Sequence, residues 1–143
     1  SNRTQAMSYF SSPDYGITTT LKGVSYNEAI ERATAALKEE GFGVLTSIDV
    51  KATLKKKLDV DHRPYIILGA CSPPLAHKAL TAEAPIGLLL PCNVVVTEDD
   101  DQNAVVSAIN AEEMFKVVDR ADLHPIAREV KERLERVIAS LTA

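Results

Sequence analysis

Ile126, Val130, Leu134, Val137 and Leu141 recur at steps of three and four, so in a helix they form one apolar stripe along a single face. Between them the chain is charged, with Glu129 and Arg133, and again Glu132 and Arg136, standing four apart in acid-first order. Each such pair adds only about 0.2–0.5 kcal/mol to a helix. A helix from about Leu123 to Leu141 therefore needs an apolar surface to dock on, and the remaining sequence predicts a sheet.

The β-branched run Ile17–Thr20, within Tyr15–Leu21, predicts a first strand that ends at Gly23. Ser25 and Glu28 form a capping box, in which each side chain satisfies a backbone N–H at the helix start. Tyr26, Ala29, Ile30, Ala33 and Leu37 follow at helical spacing, with Gly41 as the stop. Val44, Thr46, Ile48 and Val50 alternate with Leu45, Ser47 and Asp49, predicting a half-buried strand. Lys51–Leu58 is a short basic helix, and Lys55, Lys56 and Lys57 read as its solvated face.

Tyr65–Cys71 is a continuous apolar run of strand length, and Ser72 with Pro73 and Pro74 opens a further helix that closes near Pro85 and Gly87. A strand is expected over Leu88–Thr97, with Pro91 marking an edge or bulge because proline donates no ladder hydrogen bond. Glu98–Asp101 makes a turn and Ala104–Ile109 returns as its partner; that acidic turn lacks the glycine and alternating ligands of a calcium loop. The order β-α-β-(short helix)-β-α-β-β-α, with paired strands and segregated helices, is that of an α+β domain.

Composition bounds the function classes. Twenty acidic residues against sixteen basic give a net charge of −4 over 143 residues. That balance argues against the basic footprint of a nucleic-acid or anionic-membrane partner. No apolar run has the length of a membrane span and no signal peptide is visible. Two cysteines are too few for a secreted disulfide framework, so the expected compartment is the cytoplasm. Residues 1–6 precede Met7 without an apolar pattern and read as a vector-derived or disordered N-terminus, leaving 7–143 as a single domain.

Two segments carry what chemistry the sequence offers: Leu68–Leu80 and Gly87–Val96. Cys71 ends a strand just ahead of Ser72, the expected N-cap, where a helix start favours a thiolate and lowers its pKa. Cys92 is in phase with Leu90, Val94 and Val96, whereas Asn93 points to the other sheet face, so Cys92 is read as a buried small hydrophobe. His77 lies six residues after Cys71 and shares no helix face with it. Cys71, His77 and Cys92 come singly, without the tight knuckle of a zinc site, so no metal is expected. His62 and His124 read as loop and helix-start residues, and no phosphate loop or nucleophile elbow occurs.

At these segments the chain resembles the family known as domain of unknown function 302. The resemblance rests on Gly69-Ala70-Cys71-Ser72-Pro73, Ala76–Leu80 and Leu89-Leu90-Pro91-Cys92, and runs from about Tyr15 to the final helix. The chain departs from the family at Ser72, where asparagine is expected, and at Asn110-Ala111 in place of Asp-Pro. The resemblance implies a TATA-binding-protein-like architecture, a curved antiparallel sheet packed on a long helix, often as a homodimer. It implies no DNA binding, because fold does not fix function.

Without an acid–base constellation or a recognisable cofactor motif, the expected function is a non-catalytic module for a small-molecule ligand. Its site would be formed by Cys71, Ser72, His77, Pro91, Cys92 and Asn93. The alternatives are a thiol redox or soft-metal protein using Cys71 and Cys92, and a structural homodimeric interaction domain.

Overall fold

In the computed structural model, which describes residues 8–142, the terminal stripe is buried as its spacing predicts. Val130, Leu134 and Val137 lie in the core. Each apolar side chain so buried contributes roughly 1.5–3 kcal/mol. The surface that receives them is a five-stranded antiparallel open sheet in the order β1-β5-β4-β3-β2. Its strands are β1 (Gly16–Leu21), β2 (Gly43–Asp49), β3 (Tyr65–Cys71), β4 (Cys92–Glu98) and β5 (Ala104–Ile109). Helices are α1 (Tyr26–Glu39), α2 (Val50–Leu58), α3 (Pro73–Ala82), the short α4 (Ala111–Met114) and the long α5 (His124–Ser140).

Helix α1 carries the chain from one sheet edge, β1, to the other, β2, and packs with α5 on the same sheet face. Ser25 caps α1 by accepting the Glu28 N–H at 3.1 Å. At the other end Gly41 takes φ +84°, which a side chain would resist. Gly41 N–H then donates to the Lys38 carbonyl and Phe42 N–H to the Leu37 carbonyl. This is the Schellman arrangement, which folds the residue after the glycine back onto the helix, and Phe42 is accordingly buried.

Three local expectations need correction. Strand β2 is not half-buried: it is a free edge, and Leu45 and Ile48 are 69% and 52% exposed. The register slips between Val44, opposite Ala70, and Thr46, opposite Gly69, so the alternation read from the sequence changes face at Leu45. The strand expected over Leu88–Thr97 begins only at Cys92, because Ala84–Leu89 winds into a 3₁₀ helix containing Pro85 and Gly87. Pro91 marks neither a sheet edge nor a bulge; it follows a cis Leu90–Pro91 bond and precedes β4, an interior strand.

Two apolar clusters divide the interior. The larger joins the sheet to α1 and α5, through Leu37, Phe42, Val94, Val96 and Leu134 among others. The smaller gathers Ala79, Ile86, Phe115, Leu123 and Ala127 around the ends of α3 and α5. Ile126 and Met114 touch both. On the opposite sheet face, Phe10 and Pro13 from the segment before β1 border a groove with Asn93, Val95 and Ser107. Arg63 stacks 3.3 Å over the Tyr9 ring and pairs with Asp100. Among the described residues no helix is long and apolar enough to cross a membrane. The residues read as an N-terminal remnant, 1–6, lie outside the described residues.

Candidate functional site

The seam between the two clusters is where packing is incomplete. A cavity of about 40 Å³ lies there, with Phe42, Leu75 and Val130 on the larger cluster's side and Ala79 and Phe115 on the smaller one's. Interiors are otherwise close-packed, so a void of this size at a seam is local rather than general looseness. Its volume exceeds the roughly 10–15 Å³ that one water needs and is far below that of a drug-sized pocket.

Four of the six sequence-predicted residues border it: Cys71, Ser72, Pro91 and Cys92. They converge because β3 and β4 are antiparallel neighbours, so the end of one strand meets the start of the other. Gly69 makes the approach possible. A Cβ there would overlap Thr46 Oγ1 and stand 2.8 Å from Pro91 Cγ, so only glycine lets Pro91 lie over the strand. The other two residues are elsewhere: His77 is exposed on α3, and Asn93 is exposed on the opposite sheet face.

Ser72 differs from the reading of its sequence. It occupies the N-cap position of α3, yet its side chain accepts no capping hydrogen bond. The residue is 4% exposed, and its Oγ has no hydrogen-bond partner among the described residues. Leaving a buried hydroxyl unpaired costs about 1–3 kcal/mol. The two prolines contribute to this result. An N-cap side chain accepts from the second or third N–H of the helix; the second position is Pro74, which has none. Ala76 N–H is bonded to the Ser72 carbonyl at 2.9 Å. With no N–H at Pro73 or Pro74, the start of α3 is poorer in free donors than an ordinary helix start.

The two thiols are neighbours but not a cross-strand pair. Cys92 stands opposite Ala70, whereas Cys71 stands opposite Gly43 on the other side of β3. Both are free, with Cys92 buried and Cys71 half-buried. Burial pushes the Cys92 pKa from its ordinary 9.0 up to about 11, with the nearby Cys71 adding to the shift. Cys92 is therefore a protonated thiol at neutral pH, consistent with its reading as a packing residue. Among the described residues no three His, Cys, Asp or Glu side chains converge as a metal site.

Sequence reasoning missed the walls. Leu75 and Ala79 stand four apart on α3, three and seven residues after Ser72, a signal visible in the sequence. Phe42 was foreshadowed by Gly41, since a Schellman stop seats the following apolar residue against the helix. Phe115, in a 3₁₀ turn after α4, has no periodic context to announce it.

Comparison with curated proteins gives no match. Among solved structures, the crystal structure of an uncharacterized conserved protein DUF302 from Bacillus stearothermophilus is similar, with 28% identity and a TM-score of 0.81. The match covers 89% of this chain and 98% of that chain. A family model described as domain of unknown function DUF302 matches residues 17–141, a span that holds β2 to β5, all of β1 but Gly16, and the whole cavity lining. The antiparallel α+β fold, the Cys71 and Cys92 segments and this match together make the chain a member of the DUF302 family.

Proposed function

We propose that the cavity between β3, α3 and α5 is a binding site for a small molecule, and that the domain acts as a binding module. The observation that carries this reading is Ser72 Oγ, a buried hydroxyl with no protein partner on the border of an otherwise apolar cavity. Few convergent polar groups in an apolar lining are the mark of small-molecule sites. Ser72 supplies one directional contact, while Phe42, Leu75, Phe115 and Val130 supply the apolar wall. The cross-strand register supports binding over a reversible disulfide, because it sets Cys92 against Ala70 rather than Cys71.

The test uses xenon and propan-2-ol as probes on the ¹⁵N-labelled chain. Both are expected to give saturable amide shifts clustered at Cys71, Ser72, Leu75 and Cys92. Ala76→Leu, a change at a half-buried wall position, should reduce them. Shifts that scatter over the surface, or that survive Ala76→Leu unchanged, would contradict the reading.

A homodimeric reading draws on a different observation. Edge strand β2 leaves one side of its backbone unpaired and carries exposed Leu45 and Ile48, the kind of edge that recruits another strand. Sedimentation of the wild type against Ile48→Lys tests it. A dimer that dissociates in the variant supports a β2 interface, and a monomeric wild type removes the reading.

A further inference from the structure

We infer that the ligand class of this cavity is small uncharged molecules with an apolar body and one hydrogen-bonding group; the inference rests on the binding-site reading above. Three features of the lining point there. First, no Asp, Glu, Lys, Arg or His borders the cavity: the wall is made of Phe, Leu, Ile, Val, Ala, Pro, Cys and Ser side chains. An ion entering it would give up its hydration shell with no counter-charge on the wall, which is strongly unfavourable.

Second, the helix start that borders the cavity has been stripped of its usual means of holding an anion. A helix N-terminus binds anions through free backbone N–H groups and its dipole. Here the first two helical residues are Pro73 and Pro74, which have no N–H. Of the four N–H groups such an end normally offers, two are therefore missing, which makes it a poorer cradle for a carboxylate or phosphate than an ordinary helix start.

Third, the orphaned Ser72 Oγ is neutral and can donate or accept. It therefore matches a hydroxyl, a carbonyl or an amide, and gives an ion no more than one hydrogen bond. The protonated Cys92 thiol adds a second neutral, weakly polar surface on the same wall. Size sets the scale of affinity. A cavity of about 40 Å³ admits only a few heavy atoms, and a ligand of about four atoms binds at best with a Kd of roughly tens of micromolar.

The experiment compares three probes of four heavy atoms each on the full chain: propan-2-ol, isopropylammonium and acetate. They are titrated at constant ionic strength and neutral pH while the Ser72, Leu75 and Cys92 amides are followed by NMR. Xenon, which has no polar group, reports on the cavity itself. Propan-2-ol is expected to bind at least about tenfold more tightly than either ion. Ser72→Ala should weaken propan-2-ol by about fivefold to tenfold and leave xenon unchanged.

Xenon entering normally while acetate or isopropylammonium binds as well as propan-2-ol would overturn the ligand class alone. Failure of xenon and propan-2-ol together would overturn the binding site itself. A Ser72→Ala variant that keeps wild-type affinity for propan-2-ol would remove the hydroxyl from the account.

Discussion

Helices α1 and α3 both begin at a serine, but Ser25 Oγ accepts the Glu28 N–H at 3.1 Å while Ser72 Oγ, in the same cap position, has no partner. Asp49 and Asn110 behave like Ser25: Asp49 accepts from the Ala52 N–H, and Asn110 from the Glu112 and Glu113 N–H groups. Ser72 is also the one buried among these cap residues, the others being exposed or half-buried. The difference teaches that residue type and position at a helix start do not fix a cap. Available donors and the surrounding packing do. At α1 the third N–H is free to bond and water surrounds the site. At α3 the second N–H is missing at Pro74, the third, that of Leu75, is not bonded to Ser72, and the hydroxyl is buried beside the cavity.

The comparison can be broken or sharpened by mutation, and the largest effect should not distinguish the two helices at all. Leu134 is fully buried and belongs to the cluster under both α1 and β3. Leu134→Asp places an unpaired charge there, so the variant should lose its cooperative melting transition, read by circular dichroism. A normal transition would mean that the α5 stripe does not hold the domain together.

A substitution at Gly69 should act on the α3 side alone. Gly69→Val drives side-chain atoms into Thr46 and Pro91 on the sheet face that carries Asn93, and overpacking of this kind costs up to about 3 kcal/mol. Urea denaturation measures it, and a variant as stable as the wild type would contradict the close approach of Pro91 to β3.

Next in size is a pH effect at Cys92. Its pKa is about 11 when folded against an ordinary 9.0, so on raising the pH the unfolded chain releases this proton first. Stability from this group is complete below about pH 9, falls as the pH rises towards about 11, and levels off above it, for a total of about 2–3 kcal/mol. Comparing urea stability of the wild type and Cys92→Ala between pH 8 and 11 isolates the component. Equal slopes in the two proteins would mean that Cys92 is not buried as a thiol.

How much was legible beforehand follows from the kind of physics involved. Periodicity marked α1 and α5, and the Ser25–Glu28 box gave the start of α1, because these are local patterns with local causes. The pairing of Cys71 and Cys92 segments at one site was readable from motif and strand order. The exposure of β2 was not, since a bulge at Leu45 and an edge position are set by the partner strand. Leu88–Leu90 read as a strand by composition alone, but Pro85 and Gly87 turn that stretch into a 3₁₀ helix. The orphaned Ser72 was least legible of all. Its lack of a partner depends on which distant residues, Phe115 and Val130 among them, meet around it.

The smallest of the expected effects is also the most direct test of the site, because it is one of sign. Ser25→Ala removes a working cap and should lower stability by about 1 kcal/mol. Ser72→Ala removes a hydroxyl that neither caps α3 nor bonds to anything else among the described residues, so it should leave stability unchanged or raise it by about 1 kcal/mol. Urea denaturation of the two variants side by side decides the matter. Opposite signs, with Ser72→Ala neutral or stabilising, are the predicted result; a loss at Ser72 matching that at Ser25 would show an ordinary cap and contradict the site.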